Sequence, residues 1–111
     1  MKLRVRKAGR ATILDLEGPL KLGDGEQTVR EHIQQLLDDG TTRVAFNLIK
    51  VTELDSSGIG VLMRSYASLN RVGGRCAFYG VSGRVHMLLK MVRLDTVFDI
   101  VEDEAAALSR L

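Results

Sequence analysis

Val44-Ala45-Phe46-Asn47-Leu48-Ile49-Lys50-Val51-Thr52-Glu53-Leu54-Asp55-Ser56-Ser57-Gly58-Ile59-Gly60 is the stretch that decides how this chain reads. Val44 to Ile49 is a nearly continuous apolar run of strand length, which suits a central strand covered on both faces. The chain then passes through Val51 to Leu54 into residues 57–71, where Ile59, Leu62, Met63, Tyr66 and Leu69 recur at helical spacing. The junction is Asp55-Ser56-Ser57-Gly58. Ser56 or Ser57 is suited to cap the helix, its hydroxyl accepting a bond from a free backbone N–H. Gly58 and Gly60 each cost the first turn roughly 1 kcal/mol relative to Ala. Two such residues at a helix start imply a close approach to the backbone from outside, or tight packing of the helix itself.

Working outward, residues 2–7 alternate charged and apolar side chains, the period of a half-buried strand. Ala8-Gly9-Arg10 connects them to a second strand over residues 11–17, and the two form an antiparallel hairpin. Gly18, Gly23 and Gly25 mark the next segment as a loop. Val29, Ile33, Leu36 and Leu37 line one face of a helix over residues 26–38, stopped by Gly40. Beyond the central helix, Gly73-Gly74 leads to a short strand from Cys76 to Tyr79. A third helix over residues 83–92 carries Val85, Leu88, Leu89 and Val92, and a last strand (97–101) and helix (102–110) complete the order. Alternating strands and helices imply parallel strands joined by right-handed crossovers. The expected fold is α/β: one domain over residues 1–111, a mixed, mostly parallel sheet with an N-terminal antiparallel hairpin, and about four helices.

Composition narrows the function. The chain has 111 residues, 45% of them apolar, enough for one ordinary core. A net charge of +2 does not mark a direct nucleic-acid binder. The basic group Lys2, Arg4, Arg6, Lys7 and Arg10 reads as the solvent face of an edge strand. No apolar run has the ~20 residues of a membrane span, and the alternating N-terminus is unlike a signal peptide. The single cysteine, Cys76, lies in an apolar segment and reads as a core residue. The expected location is the cytoplasm, whose reducing conditions suit a lone thiol.

Catalysis finds little support. A nucleophilic serine needs a base, and the only histidines, His32 and His86, fall in predicted helices far along the chain from Ser56. Gly58-Ile59-Gly60 is only a fragment of a dinucleotide fingerprint, and no phosphate-loop lysine follows. No histidine has cysteine or acidic partners at metal-ligand spacing, so neither metal nor cofactor is expected. The turn at Ser56 remains the strongest candidate. It follows the C-terminal end of a strand, where α/β sheets bind ligands, and it opens a helix, whose N-terminus favours anions such as phosphate. Met87 and Met91, four apart on the third helix, are either core or a methionine surface that adapts to a partner.

Residues 44–60 resemble the signature of STAS domains and, more narrowly, of bacterial anti-sigma factor antagonists. The resemblance continues through Gly73-Gly74, the Val85–Leu89 helix and Leu94–Ile100. It implies a STAS-like fold and a role in partner switching. In that family the antagonist binds an anti-sigma factor that is also a serine kinase, and so frees the sigma factor. The kinase phosphorylates the serine directly after the motif aspartate, here Ser56, and a serine phosphatase restores binding. The resemblance further implies that Asp55 positions the site and that Gly58 lets the partner come close. Candidate partner-binding residues are therefore Asp55, Ser56, Ser57, Gly58, Ile59, Met87 and Met91. The alternative is an unphosphorylated STAS subunit of a transporter or signalling complex, with the turn as a fixed docking contact. The chain departs from the family at Gly18-Pro19-Leu20-Lys21, where Gly, acidic, apolar, Asp is usual, and at Glu53 and Arg93.

Overall fold

A computed structural model describes residues 1–111. Five strands, β1 (Lys2–Ala8), β2 (Ala11–Leu20), β3 (Arg43–Leu54), β4 (Arg75–Tyr79) and β5 (Asp99–Val101), lie in one sheet in sequential order. β1 and β2 are antiparallel, with Ala8 opposite Ala11, and every later pair is parallel. Four helices intervene: α1 (Asp24–Asp38), α2 (Ser56–Arg71), α3 (Gly83–Met91) and α4 (Glu104–Ser109). The mixed, mostly parallel α/β fold expected from the alternating pattern is the fold observed.

The two faces of the sheet are covered unequally. Leu14, Leu16, Val44, Phe46, Leu48, Cys76 and Phe78 point to the face carrying α1, α2 and α3, where Val29, Ile33, Leu62, Leu69, Val85 and Leu89 meet them in the main core. Phe46, Phe78 and Phe98 stack in series there, with centroids 5.0 and 4.3 Å apart. Ile13, Ala45, Ala77 and Tyr79 point the other way and are covered by α4 through Ala107. α4 is one and a half turns long and does not reach the far half of β3. Ile49, expected inside a strand buried on both faces, is therefore 61% exposed. Cys76 is buried, as expected.

Beside α4 the open face carries a polar network. Arg6 Nε and Nη2 donate to Asp15 at 2.6 and 2.9 Å, and Nη2 also donates to Glu104 at 2.6 Å. Asn47 donates to Asp15 at 2.8 Å, and the Tyr79 hydroxyl donates to Glu104 at 2.9 Å. Hydrogen bonds from Arg6 hold the Asp15 carboxyl down at about 2. Burial, then the Glu104 carboxylate, pushes the Tyr79 phenol up to about 12. Arg6 is thus not the free solvent-facing charge expected on an edge strand; it ties β1 and β2 to α4.

Five boundaries differ from expectation. α1 begins at Asp24 and takes in Gly25, read in the sequence as part of the loop; Gly25 is buried where its missing Cβ would meet the Pro19 carbonyl oxygen. β2 runs through Gly18 to Leu20, because the ladder to β3 absorbs the glycine (φ 110°) at two register shifts. β3 extends to Leu54: only Arg43–Asn47 pair with β4, and the later residues pair with β2 alone, which permits the exposed Lys50, Thr52 and Glu53. β5 begins at Asp99, after a 3₁₀ turn over Leu94–Thr96 that is entered through Arg93 in the left-handed region (φ 62°). α4 spans only 104–109, its start set by the Asp103 carboxylate accepting from the Ala106 N–H at 2.9 Å.

Candidate functional site

The parallel strands β2, β3 and β4 deliver α1, α2 and α3 from the same rim of the sheet. At the centre of that rim β3 ends at Leu54, and Asp55 turns the chain into α2 with extended dihedrals (φ −116°, ψ −175°). Asp55 is the N-cap, in place of the Ser56 or Ser57 expected from local pattern. Its Oδ1 accepts from the Gly58 N–H at 2.9 Å, and its Oδ2 accepts from the Leu22 N–H at 3.0 Å. A carboxylate has two oxygens and can serve both groups, whereas a serine hydroxyl has one. The hydrogen bonds from Leu22 and then Gly58 hold the Asp55 carboxyl below its ordinary range, with the nearby Lys21 charge adding to the effect.

Capping by Asp55 leaves the serines free of that duty. Ser56 is the first helical residue and is exposed; Ser57 is half-buried. Ile59 is half-buried against the main core. No acidic residue lies in the first turn of α2 itself; the negative charge at this helix end is the Asp55 carboxylate at the N-cap.

Gly58 is buried, and the space left by its missing side chain is filled from inside. A Cβ there would sit 2.0 Å from the Leu20 carbonyl oxygen and 2.8 Å from Leu54 Cδ1. On the side where a Cβ would stand, the close approach to this glycine is made by the end of β2. Gly60 is different: a Cβ there meets only the flexible tip of Arg64 at 3.0 Å.

The loop from Leu20 to Gly23 borders Ser56, and residue spacing does not mark it as part of the site. Lys21 pairs with Glu53 at 3.2 Å across the mouth of the turn, and Leu22 is 77% exposed. The departure at Gly18-Pro19-Leu20-Lys21 is its one visible signal in the sequence.

Met87 and Met91 lie on α3, 63% and 73% exposed, while Val85 and Leu89 face the core. They are therefore surface residues and not core ones. Met63 of α2, expected on the buried face, is also outward at 46% exposure. The histidines are apart from the turn: His32 Nδ1 bonds the Thr28 carbonyl of its own helix at 2.8 Å, and His86 is exposed on α3. No three His, Cys, Asp or Glu side chains are gathered in metal-binding reach.

The STAS domain family model matches residues 2–107. The chain belongs to the STAS domain family. It is 29% identical over 94 residues, 80% of each chain, to the anti-sigma F factor antagonist of Paenibacillus polymyxa. Among solved structures it is similar to an anti-sigma factor antagonist from Mycobacterium paratuberculosis, with a TM-score of 0.88 and 16% identity over 98% of this STAS domain and 92% of that chain. It is likewise similar to the Bacillus cell fate determinant SpoIIAA in its phosphorylated form, with a TM-score of 0.77 and 21% identity over 98% of each chain. These structural likenesses establish the STAS fold. No helix of this STAS domain is long and apolar enough to cross a membrane.

Proposed function

We propose that this chain is an anti-sigma factor antagonist, switched off by phosphorylation of Ser56. It binds an anti-sigma factor that is also a serine kinase, and a serine phosphatase restores the binding form. It acts in the cytoplasm as a single non-enzymatic domain over residues 1–111, without a cofactor. The binding surface includes Asp55, Ser56, Ser57 and Ile59 at the turn, with Gly58 shaping the turn from within, and Met87 and Met91 on α3.

The observation that carries this reading is the exposure of Ser56 on a turn clamped from both sides by Asp55. A kinase needs an accessible hydroxyl, and Ser56 is the more exposed of the two serines. A switch also needs a fold that survives the modification. Phosphate adds about two negative charges, and Ser56 places them at a helix N-terminus, where anions are favoured. The domain therefore tolerates the phosphate, while the partner must accommodate it.

An unpaired charge in an interface costs about 2–5 kcal/mol. At tenfold per 1.4 kcal/mol, this weakens binding by tens- to thousands-fold without refolding. Incubation with the cognate kinase and ATP, followed by site mapping in a mass spectrometer, tests the modification. Phosphate on Ser56 is expected; an unmodified Ser56, or phosphate on Ser57 alone, would sink the reading. A Ser56→Asp variant that keeps full affinity would instead favour the fixed docking role of a transporter or signalling subunit.

A further inference from the structure

From Ser56 to Leu94 the chain carries Arg64, Arg71, Arg75, Arg84, Lys90 and Arg93, and no Asp or Glu. All 14 acidic residues lie outside this stretch, which comprises α2, β4 and α3. Arg64 is paired with Glu26 at 3.3 Å, and Arg75 reaches the Arg110 carbonyl at 3.4 Å. Arg84, Lys90 and Arg93 are exposed and form no salt bridge.

These three cations frame the outward methionines. Arg84, Met87 and Met91 are spaced i, i+3, i+7 along one face of α3, Lys90 stands beside them, and Arg93 follows the helix end. Val92, half exposed, widens the apolar centre. An ordinary surface helix turns its polar side outward. α3 instead buries Val85 and Leu89 and also presents apolar side chains to solvent, with unpaired positive charge around them.

We infer that the outer face of α3 docks an acidic protein surface: an apolar groove flanked by carboxylates, borne by the anti-sigma factor. The identity of that partner rests on the function proposed above; its chemistry rests on the α3 face itself. Unpaired cations call for carboxylates, and flexible methionines suit an irregular protein groove. A membrane is a poorer match. Interfacial helices bury Trp, Phe and Leu along a longer face, and α3 has nine residues and no aromatic side chain. α2 and α3 start from the same rim and lie on the same face of the sheet, so one partner can reach both. Phosphate on Ser56 then adds negative charge at the rim from which α3 also starts, and a partner that is acidic where it meets α3 and reaches both elements is repelled by it.

The test titrates the purified anti-sigma factor at low and high salt, about 50 and 300 mM NaCl, between which the Debye length falls from about 14 to about 6 Å. Wild-type chain, Arg84→Glu/Lys90→Glu, Met87→Ser/Met91→Ser and Ser56→Asp are compared, with thermal melts confirming that each is folded. Wild-type affinity is expected to fall with salt. The charge reversal is expected to weaken binding at least tenfold at low salt and flatten the salt dependence, and the methionine pair to weaken binding severalfold at both.

Wild-type affinity and salt slope in both α3 variants would overturn the inference; if Ser56→Asp loses binding in the same series, the switch reading stands alone. Loss in the α3 variants with full binding by Ser56→Asp would uphold the α3 surface and overturn the switch. If no anti-sigma factor binds, the antagonist reading falls, and a synthetic Glu/Leu amphipathic helix becomes the probe. It must then shift α3 amide resonances in a salt-sensitive way, or the α3 inference falls too. Binding to anionic phospholipid vesicles that vanishes in the α3 variants, with protein binding intact, would assign the face to a membrane and overturn it.

Discussion

Gly58→Ala sets two physical effects against each other, and the structure decides which wins. Helix propensity favours alanine by roughly 1 kcal/mol. Against this, the new methyl would meet the Leu20 carbonyl oxygen at 2.0 Å, well inside the 3.4 Å at which ordinary contact begins. The obstacle is backbone at the end of β2, so it cannot swing away as a side-chain tip would. Relief requires α2 to move from Leu20, which pulls on the Asp55 bonds to Gly58 and Leu22. Overpacking costs about 1–3 kcal/mol, and two weakened hydrogen bonds add about 1 kcal/mol each. After the propensity gain, a net loss of about 2–4 kcal/mol remains.

For a chain of 111 residues, an unfolding entropy of about 2.1 cal/mol/K per residue makes 1 kcal/mol worth about 4 °C. Tm should fall by about 9–17 °C on that scale. Gly60→Ala is the internal control, because its methyl meets only the Arg64 tip; it should leave Tm unchanged or raise it by up to about 4 °C. Thermal melts and urea titrations of both variants check this. A Gly58→Ala protein as stable as wild type would refute the reasoning, as would equal losses at both glycines.

Three further outcomes are expected. Asp55→Ala removes the N-cap and the tie to the Leu22 loop, and urea unfolding should show a loss of about 1–3 kcal/mol, with faster amide exchange at Leu22 and Gly58. Asp15 titrates near 4 in the unfolded chain and at about 2 in the fold; its contribution of about 2 kcal/mol is complete above pH 5 and is lost as pH falls toward 2. Urea midpoints between pH 6 and pH 2.5 should show that loss, with a shallower decline in Asp15→Asn. Burial pushes the Cys76 thiol up, so a thiol reagent at pH 8 should label Cys76 only at the rate of unfolding, and rapid labelling of the native protein would contradict its placement.

What is legible in the sequence follows from periodicity. Val44–Ile49 announces the central strand because apolar runs of strand length have few other uses, and Val85 and Leu89 mark the inner face of α3 at helical spacing. What is not legible depends on residues distant in sequence. Asp55, Ser56 and Ser57 are all good N-caps, and local pattern cannot say which one keeps extended dihedrals. Leu22, which settles the matter by donating to Asp55, is 33 residues away. Gly18 reads as a breaker because a glycine in a strand and a glycine in a loop look alike without the partner strand that absorbs its φ. Met63, Met87 and Met91 fall within wide apolar sectors, so composition does not tell their outward direction. Gly58 stands out at the helix start, but the Leu20 carbonyl that requires it belongs to another strand.

The central claim is that Ser56 decides partner binding. It is tested most directly by isothermal titration of a purified anti-sigma factor with the unmodified chain and with the same chain quantitatively phosphorylated at Ser56. The account predicts tight binding by the first and affinity weakened by at least tenfold in the second, with unchanged circular dichroism. Equal affinities for the two forms would contradict it.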